Sequence, residues 1–153
     1  MGDLDGDGLP DLVGVNGNGH LCWWRRYRDD AGQLRLESAR TPLDDDEQPF
    51  TINGDWRHTG RAKIAVCDWD HDGKPDIICS PVINVNDQYF FQNQGTRDGK
   101  LILQREDHRI KLRNVRFPHF NHYYMCEPVD FDGDGVWEVV AGFDRGYIYY
   151  WRN

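Results

Sequence analysis

Apolar residues along the chain come in short bursts separated by polar, glycine-bearing turns, and the bursts recur in a fixed order. LVGV (12–15), IIC (77–79) and VVAG (139–142) each follow a run of acids. A second burst comes behind each of them: HLCWWRR (20–26), QYFFQN (88–93) and YIYYWRN (147–153). AKIAV (62–66) and YYMCEPV (123–129) stand ahead of the second and third acid runs, while LRLES (34–38) and KLILQRE (100–106) trail the first and second. Aromatic and β-branched residues dominate, which favours strands. In the middle strands they fall at both parities, predicting burial on both sheet faces. No stretch of ten or more residues has helical periodicity.

The acid runs are one motif written three times. DLDGDGLPD starts at Asp3, DWDHDGKPD at Asp68 and DFDGDGVWE at Asp130, so the starts lie 65 and 62 residues apart. Trp24 and Trp151 stand at the same offset from the last acid of their loops. The repeat is therefore a structural unit: four short strands, with the acidic loop joining the first strand to the second and the fourth strand at 34–38 or 100–106. The predicted class is all-β, built of four-stranded antiparallel β-propeller blades that each need a neighbour to cover their faces. The chain holds about two and a half of them. An incomplete blade covers 1–45, a linker with a degenerate loop 46–61, a complete blade 62–107, a linker 108–122 and another incomplete blade 123–153. Open blade edges are a liability, so further blades from a longer chain, or a self-associated copy, are expected to cover them.

Carboxylates at positions 1, 3 and 5 of a tight loop converge on one cavity. A glycine at position 6 permits the turn, position 7 offers its carbonyl and position 9 adds a fourth acid. Hard oxygen donors in this number suit calcium. Three Ca²⁺ sites are expected, on Asp3, Asp5, Asp7, Asp11 and the Leu9 carbonyl; on Asp68, Asp70, Asp72, Asp76 and the Lys74 carbonyl; and on Asp130, Asp132, Asp134, Glu138 and the Val136 carbonyl. An EF-hand would need a bidentate Glu at position 12 and flanking helices. Position 12 here is Gly14, Cys79 or Ala141, and the flanks are strands.

Charge and composition narrow the partners. The net charge is −8, against a nucleic-acid or anionic-membrane partner, and twelve of the 26 acids sit in the three loops. No apolar run reaches the roughly 20 residues of a membrane span. Residues 1–15 lack the basic start and apolar stretch of a signal peptide, so an export signal would lie outside this chain. Cys22, Cys67, Cys79 and Cys126 show no C-x-x-C spacing and are expected as buried free thiols.

The three loops, their following strands and the endings YYWRN and YFFQN resemble the FG-GAP repeats and their VCBS relatives, including the calcium-bearing blades of integrin α-subunit heads. The resemblance implies a propeller with calcium in the hairpins between first and second strands. It implies a protein or glycan ligand, in adhesion or carbohydrate recognition, outside the cell or at its envelope. The expected role is a structural or binding module with no catalytic residues of its own. The alternative is part of a propeller-type polysaccharide lyase, with Arg116, His119, His122 and Tyr123 as participants.

Weaker signals have blander readings. DWRHTGRAKIAV (55–66) matches the second loop in frame, with Arg57, Thr59 and Lys63 replacing acids, as a decayed hairpin would. FPHFNHYY (117–124) is expected to serve packing, and TPLDDDEQPF (41–50) to be a solvated loop. Trp23-Trp24, Phe90-Phe91 and Tyr149-Tyr150-Trp151 are expected in the core.

Overall fold

The computed structural model describes residues 1–52, 62–81, 87–104, 108–111, 124–143, 146 and 148–151. Strands and no helix are found among the described residues. β1 (Leu12–Val15) and β2 (Leu21–Trp24) form a hairpin, followed by a second hairpin of β3 (Arg26–Arg28) and β4 (Leu34–Leu36). β5 (Ala62–Cys67), β6 (Asp76–Pro81) and β7 (Asp87–Phe91) follow. β8 (Asn93–Arg97) pairs with β9 (Lys100–Leu103), after which β10 (His108–Lys111) completes a four-stranded antiparallel sheet in the order β10-β7-β6-β5. β11 (Tyr124–Val129), β12 (Glu138–Phe143) and β13 (Ile148–Trp151) form a three-stranded sheet.

The three acidic loops join strands in the same register. Cys67 pairs with Asp76 and Val129 with Glu138, while an isolated bridge between Gly2 and Asp11 marks the same place in the first repeat. In each case the residue before the loop faces the ninth residue of the motif. The acidic loop is therefore an eight-residue hairpin connection, as its spacing predicts.

The fourth strand differs from expectation. Leu34–Leu36 and Lys100–Leu103 close local hairpins on β3 and β8, and the fourth strand of the central sheet is His108–Lys111. Turn chemistry explains this. Asp98 (φ 51°) and Gly99 (φ 70°) form a two-residue left-handed turn that pins β9 to the strand before it. Between β3 and β4, Asp29 Oδ1 accepts the N–H groups of Ala31 (3.1 Å) and Gln33 (2.8 Å). Local pairing costs little loop-closure entropy and wins over longer-range pairing.

The central sheet is covered on both faces. Ile77, Ile78, Cys79 and Ser80 are consecutive and all buried. Ile77 and Cys79 lie in one cluster with Leu4, Leu21, Trp23, Phe50, Phe91, Leu101 and Leu103, supplied largely by the first repeat and the β8–β9 hairpin. Ile78 shares the other with Ala65, Cys67 and Phe90, against which Trp69 and Trp137 pack. Trp69 also packs on Val139 and Ala141 of β12. Trp23, Phe90 and Phe91 are core residues as expected, whereas Tyr150 is 48% exposed. Cys22, Cys67 and Cys79 are buried free thiols, as expected, and burial pushes Cys67 and Cys79 up to about 12. The 41–50 segment is anchored at Asp44, which is buried and accepts the N–H of Gln48 at 2.7 Å, while Asp45, Asp46 and Glu47 face solvent. The same segment is tied to β9 through Leu43, whose N–H donates to Leu101 O at 2.9 Å. Only its acidic tip is the solvated loop expected.

Neighbouring repeats are tied together at their loops. Asn93, wholly buried, donates from Nδ2 to Leu4 O (3.0 Å) in the first loop and to Pro75 O (2.9 Å) in the second. Trp137 Nε1 in the third donates to Asp68 O in the second. A Cβ at Gly2 would fall 2.5 Å from Val66 Cγ1, so the approach of first repeat to second admits no side chain there. Replacing Asn93 by Ala strands the buried Leu4 carbonyl and the part-buried Pro75 carbonyl; a loss of about 2–4 kcal/mol is expected in urea unfolding, and an unchanged midpoint would contradict this role.

Candidate metal centres

The three loops share one hydrogen-bond pattern. The first acid accepts from the N–H of the sixth residue: Asp3 Oδ2 from Gly8 (2.9 Å), Asp68 Oδ2 from Gly73 (3.0 Å) and Asp130 Oδ2 from Gly135 (3.1 Å). The third residue's carboxylate accepts from the fifth: Asp5 from Asp7 (3.3 Å), Asp70 from Asp72 (3.2 Å) and Asp132 from Asp134 (3.3 Å). The fifth accepts from the seventh: Asp7 from Leu9, Asp72 from Lys74 and Asp134 from Val136, each at 2.9 Å. The ninth accepts from the second: Asp11 from Leu4 (3.2 Å), Asp76 from Trp69 (2.9 Å) and Glu138 from Phe131 (2.8 Å). Glu138 thus does the work of an aspartate in its loop.

Backbone conformation repeats as well. The sixth-position glycines Gly8, Gly73 and Gly135 have φ of 85°, 89° and 85°. The fourth position is also left-handed, at Gly6 (76°), Gly133 (76°) and His71 (59°). His71 is the departure, an L-residue in a conformation that disfavours a Cβ.

These constraints gather carboxylates. One oxygen each of Asp3, Asp5 and Asp11 lie within 4.8 Å of one another, as do those of Asp68, Asp70 and Asp76, and of Asp130, Asp132 and Glu138. Nine of the twelve predicted acids are thus brought together. Asp7, Asp72 and Asp134 stand outside the trios; Asp7 meets Arg25 and Asp72 meets the Lys74 ammonium at 2.6 Å. Like charges at that spacing repel by about 3–4 kcal/mol per pair at an effective dielectric near 20. Burial adds to the strain: it raises Asp76 to about 6 and holds Asp11 above the usual carboxylate range, although backbone N–H groups pull both down. Asp68 Oδ1 and Asp130 Oδ1, at the same place in two loops, are buried without a hydrogen-bond donor. Oxygen-only donor sets with an orphaned anionic oxygen fit a hard divalent cation and are a poor match for zinc.

A family model for FG-GAP-like repeats matches residues 3–79, just over half of the 153 residues. The chain belongs to that family. No curated protein matches the sequence, and no solved structure matches the fold. The FG-GAP match takes in the first two hairpins; the third, at 130–138, lies beyond it and repeats their geometry.

Sequence reasoning missed Arg25, Gln92 and Asn93, which act on the hairpins from the far end of the second burst. Arg26 N donates to Asp11 Oδ1 and Asn93 N to Asp76 Oδ1, both at 2.8 Å, which makes these two positions equivalent. The available signal was the aligned aromatic ending: the residues after Trp24 and Phe91 must fall over the acids. Residues 53–61 of the degenerate loop, and Arg116, His119, His122 and Tyr123, lie outside the described residues. Among the described residues no helix is long and apolar enough to cross a membrane.

His71→Gly is expected to stabilise the protein by up to about 1 kcal/mol, the left-handed cost of an L-residue less the added freedom of glycine when unfolded. Urea unfolding reads this directly; a lower midpoint for the glycine variant would show that His71 makes a compensating contact.

Proposed function

We propose that each acidic hairpin of this FG-GAP chain holds one Ca²⁺, and that the chain is a segment of a calcium-stabilised β-propeller that presents a binding surface outside the cell or at its envelope. The observation that carries the metal reading is the pair of buried, donor-less oxygens Asp68 Oδ1 and Asp130 Oδ1 in loops of matching hydrogen-bond pattern. The first, third and ninth residues would supply carboxylates. The carbonyls of Leu9, Lys74 and Val136 would complete the shell, with Asp7, Asp72 and Asp134 turning inward on binding. Calcium would neutralise the repulsion among the acids and add its binding energy to folding.

The propeller reading draws on the packing of successive repeats. In the first two loops the second residue reaches the following repeat: Leu4 is buried against the central sheet, and Trp69 lies against β12. Phe131 is the third member of this series and is 71% exposed. By alignment of the β2 and β13 endings, Tyr150 and Ile148 answer to Trp23 and Leu21, which are buried, yet they are 48% and 77% exposed. Phe131 and Tyr150 meet at a centroid distance of 5.7 Å, giving an apolar face of the shape that a further repeat covers. A further FG-GAP repeat, from a longer chain or a second copy, is the partner this face fits. The displayed ligand would be a protein or a glycan.

Isothermal titration of chelator-stripped protein with CaCl₂ tests the metal reading. Calcium sites of extracellular modules bind at roughly 10⁻⁴–10⁻³ M, and each site should add about 1.4 kcal/mol of stability at tenfold excess over its Kd. Asp68→Asn with Asp70→Asn should delete one site. No binding heat and no thermal shift in about 10 mM Ca²⁺, roughly ten times the weak limit of that range, would remove the reading.

A further inference from the structure

The first hairpin already holds a cation of its own. Arg25, the residue after β2, turns its guanidinium back over the loop, where Nε donates to Asp5 Oδ2 and Nη2 donates to Asp7 Oδ2 at 2.6 Å. Nη1 reaches Glu37 Oε1 at 3.4 Å. The Asp5 side chain is only 8% exposed beneath this cover, and that of Arg25 is 32% exposed. The fork thus bridges two acids that a metal would have to share, through charge-assisted bonds that are among the stronger ones available.

The second hairpin has the same architecture and a different residue in that place. Arg26 and Asn93 are equivalent through their bonds to Asp11 and Asp76, so Arg25 corresponds to Gln92. Gln92 Nε2 donates to Asp70 Oδ2, the counterpart of Asp5. The contact is kept while the charge is lost. Lys74 supplies a cation nearby, but its direct ion pair is with Asp72, which stands outside the trio, and it acts on Asp70 and Asp76 only through space.

We propose that Arg25 is an internal competitor for the first hairpin, so that the side chain following the second burst sets which hairpins a divalent ion fills. With Arg25 seated, one positive charge offsets the acids and the first loop is closed without metal. A divalent ion entering there must displace two charge-assisted bonds, with Glu37 placed to receive the released guanidinium. With Gln92, the second loop has no cation bridging its third and fifth acids, only Lys74 at its rim, and fills first. The inference rests on the hairpins being divalent-cation sites.

The amide resonances of Gly8, Gly73 and Gly135 report on the three hairpins separately, and calcium alone is the titrant for the full chain. In the wild type, Gly73 should respond at lower calcium than Gly8. Arg25→Gln should tighten the Gly8 transition about tenfold, the effect of roughly 1.4 kcal/mol of removed competition; Arg25→Lys should fall between. Gln92→Arg should weaken the Gly73 transition by about the same factor, and serves as the independent arm if Arg25→Gln fails to fold. A Gly73 response with Gly8 unchanged in Arg25→Gln, or unchanged Gly73 in Gln92→Arg, overturns the competitor role and leaves the metal sites standing. No response of Gly73 in the wild type overturns the metal sites, and the competitor role with them.

Discussion

One buried carboxylate per repeat holds the structure in register. Asp11, Asp76 and Glu138 are fully buried at the start of a strand, and each accepts the N–H of the second loop residue seven positions back. Asp11 and Asp76 spend their other oxygen on the chain that returns after the next strand, at Arg26 and Asn93. A single acid therefore closes the hairpin and ties down the strand beyond it. A buried carboxylate is tolerable only with such hydrogen bonds or with a counter-charge. The remaining acids of the loop then curl toward it, because their backbone N–H partners are set by the same turn.

That arrangement concentrates more negative charge than its hydrogen bonds relieve. The surplus is met differently in each hairpin: by the Arg25 fork in the first, by a neutral amide and a peripheral lysine in the second. The third keeps a buried oxygen without a donor, as the second does. Loops of one shape thus differ in how far their own side chains offset the acids. The packing works in the same serial way, with Asn93 and Trp137 linking each loop to its neighbour, so ordering one hairpin bears on the next.

Much of this was legible in the sequence because the decisive features are local. The D-x-D-x-D-G-x-x-D spacing gives the hairpin, its glycines and the position-nine acid without tertiary information, and both-parity apolar strands give a sheet covered on two faces. The fourth strand was not legible. KLIL is as good a partner for β7 as for β8 by pattern alone, and the Asp98-Gly99 turn decides between them. Arg25 was hidden for another reason: it lies 14 residues beyond the last acid of its loop, and its role appears only once the returning strand is laid over the hairpin. The exposure of Tyr150 was invisible to strand pattern, since it depends on which repeat stands beside it.

If the clustered acids surround a divalent ion, crystals grown with terbium in place of calcium will reveal it by anomalous diffraction. A strong anomalous peak is expected between Asp68, Asp70 and Asp76, and another between Asp130, Asp132 and Glu138. Ordered hairpins with these same carboxylate positions and no peak at saturating ion would contradict it.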